Sequence, residues 1–291
     1  MKATLLLWCA RLAWTLLPVT MGGAITDALD GWPAGPARLA TVLFWTAWAA
    51  GLLALLAPRP WGLTLLRVTA PVAVACAVLS ITSTSAASAT VAVVTSVLAA
   101  ALALSHPVAA AAGNALAYGD EVRFPTRIPT PLLLGPVPLA VALVVAGAVT
   151  GPLLLADANL IAGAVCTVIG VPAAWLIVRS LDALSRRWVV LVPAGIAIVD
   201  PLTLLEPVLV PREVMRRLYR VPGRSLPGDV LDLRLGSVVG GVEIELDPPV
   251  TFGRRRGRVD AQLVDPDGVV VAVTRPDALL ALAGNRRLPA R

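Results

Sequence analysis

Histidine and cysteine are nearly absent from this chain of 291 residues, which holds one histidine, His106, and three cysteines, Cys9, Cys76 and Cys166. One histidine cannot supply the paired ligands of an H-E-x-x-H helix or of a multi-histidine zinc site. His106 reads instead as an interfacial structural residue at the end of an apolar run. The cysteines lie far apart, each inside an apolar stretch, and read as small apolar fillers rather than a disulfide framework or a redox pair. Phosphate-cradling and nucleophile motifs are missing too: there is no G-x-x-x-x-G-K-[ST], no G-x-G-x-x-G opening a helix after a strand, and no G-x-S-x-G. Neither a metal site nor a cofactor is expected, and the chain reads as non-enzymatic.

Charge is also scarce. Only 14% of residues are charged and 57% are hydrophobic, with a mean hydropathy of +0.82, whereas soluble chains carry about 25% charged residues. An ordinary soluble protein is excluded. The scarcity is uneven: residues 1–185 hold 8 Lys/Arg and 6 Asp/Glu, while residues 186–291 hold 16 and 12. The division predicts a transmembrane helical domain over 1–185 and a cytoplasmic domain built for water over 186–291.

What the first part has in abundance is long apolar runs. A helix crossing a bilayer core needs roughly 20 apolar residues, and six stretches qualify, at about 6–26, 39–57, 62–81, 86–105, 132–155 and 159–179. Ala, Ser and Thr dilute the third and fourth, so four or five spans is the competing count. The loops decide between them. Lys2 and Arg11, Arg59 and Arg67, Arg123 and Arg127, and Arg179, Arg186 and Arg187 mark every second loop as basic, whereas Asp27, Asp30 and Asp157 mark the alternate ones, with Arg38 their only cation. Lys and Arg concentrate on the cytoplasmic side, so the alternation predicts a cell-membrane protein with six spans and both termini inside. A cleaved signal is disfavoured because Arg11 interrupts the first run, and a lipoprotein signal because Trp8 precedes Cys9.

Gly147-x-x-x-Gly151 places two glycines on one face of the fifth span, where a second helix can approach closely; packing within the bundle is favoured over a dimer interface. Nothing fixes the oligomeric state. Prolines recur at Pro18, Pro71, Pro136, Pro138, Pro152 and Pro172, as in the broken helices of transporters. No ionisable residue sits at the centre of a span, however, and ion-coupled transport usually needs one.

Between the fourth and fifth spans lies one concentrated polar and aromatic cluster, with Tyr118, Asp120, Glu121, Arg123 and Phe124. Two readings stand side by side: a headgroup-level anchor, and a segment that docks onto the C-terminal domain. In the tail the pattern turns to period 2. Leu231 to Leu235 and Val242 to Leu246 alternate apolar with polar, and Trp188 to Val192 and Ile196 to Val199 flank a Pro-Ala-Gly turn. Six or seven strands are expected. A C-terminal helix follows from Thr274-Arg275-Pro276-Asp277, which resembles a capping box, and stops near Gly284.

The stretch Arg187-Trp188-Val189-Val190-Leu191-Val192-Pro193-Ala194-Gly195-Ile196, leading to Pro207-Val208-Leu209-Val210-Pro211, resembles the opening of bacterial pleckstrin-homology-like (PH-like) domains. That resemblance implies a bent antiparallel sheet closed by a terminal helix, serving as a binding platform. The chain as a whole is similar to a family of actinobacterial multi-pass membrane proteins, through Tyr118-Gly119-Asp120-Glu121 with Phe124-Pro125, Leu132 to Pro136, and Arg186 to Gly195; the family implies no activity.

Two basic groups are the candidate lipid- or partner-binding residues: Arg216 and Arg217, with Arg220 close by, and the run Arg254, Arg255, Arg256 and Arg258. Each basic residue near an anionic membrane surface contributes about 1 kcal/mol; the alternative is a solvated hairpin tip. Nucleic acid is not expected, since the tail has too few aromatics to stack bases. The leading expectation is thus a membrane-anchored scaffold whose cytoplasmic domain engages a protein partner or inner-leaflet lipids. A small transporter or export component regulated by that domain is the alternative. A lipid-processing enzyme would have only Asp27, Asp30 and Asp157 to use.

Overall fold

A computed structural model describes residues 2–221, 223, 229–257 and 260–290. Its helices and strands, in chain order, are α1 (Lys2–Leu29), α2 (Ala34–Leu56), α3 (Pro60–Leu79), α4 (Ala86–Ala103), α5 (His106–Asn114), β1 (Val122–Pro125), α6 (Thr130–Leu134), α7 (Pro136–Ala156), α8 (Leu160–Ser185), β2 (Trp188–Val192), β3 (Gly195–Val199), β4 (Val208–Pro211), β5 (Met215–Arg220), β6 (Val230–Asp232), β7 (Gly241–Leu246), β8 (Phe252–Arg255), β9 (Ala261–Val264), β10 (Gly268–Ala272) and α9 (Pro276–Asn285). They form two compact units: Met1–Ala112 with Val137–Asp182, and Gly113–Pro136 with Ala183–Arg291.

Among the described residues six helices are long and apolar enough to cross a bilayer, which makes this a multi-pass membrane protein. In hydrocarbon every backbone N–H and C=O must be satisfied inside its own segment, so an apolar run of this length is helical regardless of individual propensities. Two helices run on past the charged residues that close their apolar runs. α1 continues through Asp27 and ends before Gly31, whose φ of +80° closes the turn. α8 continues past Arg179 to Ser185, and the Asp182 carboxylate on its last turns accepts a 3.0 Å bond from the Thr64 hydroxyl.

Small residues set the packing. A side chain at Gly151 would put its Cβ 2.3 Å from the Thr167 hydroxyl, and one at Gly147 would lie 2.5 Å from the Gly170 carbonyl oxygen. The two glycines therefore seat α7 against α8 of the same chain. On the other side of the bundle, the Trp14 indole N–H donates to the Trp48 carbonyl at 2.9 Å and Trp48 returns the bond to Trp14 at 3.0 Å. This reciprocal pair locks α1 to α2 without leaving an indole donor unpaired.

The second unit is built from two four-stranded sheets and a hairpin, ordered β1-β2-β3-β4, β5-β7-β10-β6 and β8-β9. The first sheet is antiparallel throughout, whereas β6 runs parallel to β10 in the second. The parallel pair departs from the antiparallel sheet that the PH-like resemblance implies. Leu191, Ile196, Ile198, Val210, Leu218, Ile244, Phe252 and Val271 fill one core, with Leu279 and Ala283 of α9.

Three expectations need correction. The second unit does not begin at residue 186: β1 supplies the first strand of its first sheet, with Phe124 opposite Val189 and Arg123 opposite Val190. Past β1 the chain bridges to the second sheet, as Arg127 N–H donates to the Ala272 carbonyl and Thr274 N–H to that of Pro125. Residues 122–127 are the seam of the two sheets. Second, Leu233 to Leu235 is not strand; Leu235 turns back with φ of +54° because Arg234 folds inward onto Asp232. Third, Thr274 does not cap α9. Its hydroxyl donates to the Pro125 carbonyl, and Arg275 occupies the N-cap position without a side-chain bond.

Pairing of β1 with β2 carries a topological constraint. Residues 122–125 and 188–192 stand on one side of any membrane the chain crosses, so α7 and α8, which separate them, cross as a pair. Phe124 is 8% exposed in the core and Tyr118 is 90% exposed. Phe124→Ala should therefore destabilise the second unit by about 3–5 kcal/mol, visible as faster proteolysis of residues 183–290 in the full-length protein, while Tyr118→Ala should leave the cleavage rate at wild type.

Candidate functional site

β5 and β7 pair antiparallel, with a register shift between Met215 and Arg217 that sets Arg217 opposite Glu245 and Tyr219 opposite Glu243. Val242, Ile244 and Leu246 point into the core, so Glu243 and Glu245 share the opposite face. That face forms one wall of an open cleft of about 600 Å³. Five carboxylates line it, from Asp229, Glu243, Glu245, Asp247 and Asp267, against two guanidinium groups, Arg216 and Arg217. The cleft is acidic. Arg217 and Glu245 are 3.9 Å apart and both partly exposed, a pair worth about 0–1 kcal/mol.

Glu243 differs from the other four. It is 4% exposed, although it lies on the cleft face, because Tyr219, Arg234 and the backbone of Gly268 close around it. Burial raises its carboxyl above the ordinary range, and the charge of Glu245 adds to this against the opposing pull of Tyr219 and Arg234. Burial likewise raises the Tyr219 phenol, to about 12, helped by the negative charge of Glu243 and Glu245. Beneath the cleft, Arg234 grips Asp232 with two 2.9 Å bonds and donates to the Gly223 carbonyl at 2.7 Å. Burial works to raise Asp232, but the side-chain and backbone bonds from Arg234 outweigh it and hold the carboxyl below its usual range.

The arginines singled out in the sequence separate into two places. Arg216 and Arg217 line this acidic cleft, where the carboxylates of β7 and the following loop outnumber them. Arg254 and Arg255 end β8, and Arg256 opens the turn to β9, its N–H donating to the Asp260 carbonyl at 3.0 Å. Arg254 and Arg256 are exposed, whereas Arg255 is half-buried and its backbone N–H donates to Thr203. Arg258 lies outside the described residues.

The 118–124 cluster folds by its backbone. Asn114 brackets Arg123 with bonds to both its N–H and its carbonyl, at 2.8 and 3.0 Å. The Asp120 carbonyl accepts from the Arg286 guanidinium. Glu121 pairs with Arg123 at 2.6 Å, and that bond holds its carboxyl below the usual range against the opposing effect of burial. Phe124 enters the core, while Tyr118 stands in solvent.

Sequence reasoning missed Tyr219, Asp229, Asp247 and Asp267. The alternation of Val242 to Leu246 did place Glu243 and Glu245 on one face, and the burial of Glu243 was the hidden part. Among the described residues no group of three His, Cys, Asp or Glu is arranged to hold a metal ion. What the cleft offers is a wall of acceptor oxygens for cationic donors such as ammonium and guanidinium groups. No protein-family model, curated protein or solved structure matches this chain.

The raised carboxyl gives stability a definite sign with pH. Folded Glu243 holds its proton more tightly than the unfolded chain does, so its contribution is present below the ordinary glutamate range and is lost as pH rises through the raised value. Glu243→Gln, which stays neutral, should melt at a higher temperature than wild type near neutral pH, and the gap should close in scans at acid pH.

Proposed function

We propose that this protein is a non-enzymatic membrane-anchored binding module. Its six spans keep both termini in the cytoplasm, and its second unit, PH-like in sequence resemblance, receives a protein partner. The acidic cleft on β5 and β7 carries this reading. Five carboxylates against two guanidinium groups favour a segment rich in Lys and Arg, drawn in by charge and therefore sensitive to salt. An anionic inner-leaflet lipid approaching Arg216 and Arg217 would be repelled by the carboxylates around them, which leaves Arg254 and Arg256 to bind its phosphate.

The alternation of basic and acidic loops supports the cytoplasmic placement, and the pairing of β1 with β2 is consistent with it. Membrane-impermeant thiol labelling in cells checks it: Asp30→Cys should react from outside, whereas Tyr118→Cys and Leu263→Cys should react only after permeabilisation. Labelling of positions 30 and 263 from the same side would end the six-span, both-ends-inside topology.

Binding is measured with the full chain in nanodiscs of neutral lipid and a fluorescent oligo-arginine peptide. The expected result is salt-dependent association, weakened at least tenfold by Glu245→Lys with Asp247→Lys and unchanged by Arg254→Glu. Equal binding by the charge-reversed protein would refute the cleft as the partner site.

A further inference from the structure

The first unit contains a cavity of about 600 Å³ that no described residue fills. Leu43 and Ala47 of α2, Val72 and Leu79 of α3, and Val145 and Ala148 of α7 give the character of its wall, which is almost wholly apolar. The volume is that of a small-molecule site, roughly 300–1,000 Å³, but the convergent polar groups that orient such ligands are missing along its length. The Thr69 hydroxyl on its wall is already spent on the Leu65 carbonyl of its own helix. Polar character gathers at one end, where Trp32 follows α1 and Ser83 follows α3.

We infer that this cavity is a binding site for one acyl chain of a membrane phospholipid. Apart from Trp32 and Ser83 at one end its walls are span-forming helices, so its surroundings are hydrocarbon at that depth. Water finds too few partners in a void of this lining, and an empty void forfeits the dispersion contacts of every wall atom. The mouth is continuous with the lipid-facing surface, since Leu79, which lines it, is 76% exposed. An acyl chain enters sideways from the bilayer, with its headgroup at the Trp32 and Ser83 end. There an indole ring suits the boundary between hydrocarbon and headgroups, and the Asp27 carboxylate accepts from the Thr84 hydroxyl.

Native mass spectrometry of the full-length protein in mild detergent tests this. Wild type and Val168→Phe, a change on an exposed position of α8 outside the cavity, should each retain one phospholipid per chain. Ala47→Phe and Ala148→Phe fill the cavity from opposite walls and should lower the lipid-bound fraction at least tenfold at unchanged oligomeric state. If either fill-in variant fails to fold, the other decides. The inference is overturned by equal lipid retention in all four proteins, by detergent adducts alone on wild type, or by a dimer mass that the fill-in variants abolish, which would make a second copy the occupant.

Discussion

One buried ion pair ties the second unit together. Arg187 and Asp200 meet at 2.7 Å with both side chains 2% exposed. The same guanidinium nitrogen donates to the Leu233 carbonyl at 2.7 Å, and Asp200 accepts from the backbone of Leu202 at 3.1 Å. The Arg187 carbonyl in turn receives Thr126, from both its backbone and its hydroxyl. A single arginine thus joins the start of β2, the turn after β3, the loop after β6 and the chain just past β1. Two bonds from one terminal nitrogen carry the pair, while the Arg187 Nε is buried without a partner among the described residues, and breaking such a pair costs about 3–5 kcal/mol. Both sheets are hung from this point, and the acidic cleft on the second of them inherits its geometry.

The membrane half was legible because hydrocarbon imposes one solution on any long apolar run. Span number followed from length and from the sign of successive loops. Span ends did not, since Asp27 and Asp182 look like boundaries in sequence but ride on helices that must continue. The tail was legible in kind, with alternation marking β7 and apolar runs about a Pro-Ala-Gly turn marking β2 and β3, but less so in connection. β1 escaped notice because four residues ending in proline, wedged between spans, carry no strand pattern of their own. The parallel pairing of β6 with β10 joins residues nearly forty positions apart, and no local signal announces it.

The candidate site shows the same limit in electrostatic form. Arg216 and Arg217 are basic as a stretch of sequence and belong to an acidic neighbourhood as a place in space. The carboxylates beside them come from β7, whose register against β5 shifts between Met215 and Arg217, and from Asp229 and Asp267 at other strand ends. Arg254 and Arg256, by contrast, sit on a local hairpin whose character is set by its own residues. Net charge along a chain predicts a surface only where the surface is made of consecutive residues.

The seam strand also orders events in the life of the chain. β1 leaves the ribosome more than sixty residues before β2, and the two membrane helices α7 and α8 are made in between. Until both helices have been threaded through the bilayer, the first sheet has a strand without a partner and the second unit stays open. Completion of the water-facing domain therefore reports that the last two spans have been inserted, and a chain with α7 or α8 stalled on the wrong side would present an unpaired edge to the quality-control machinery.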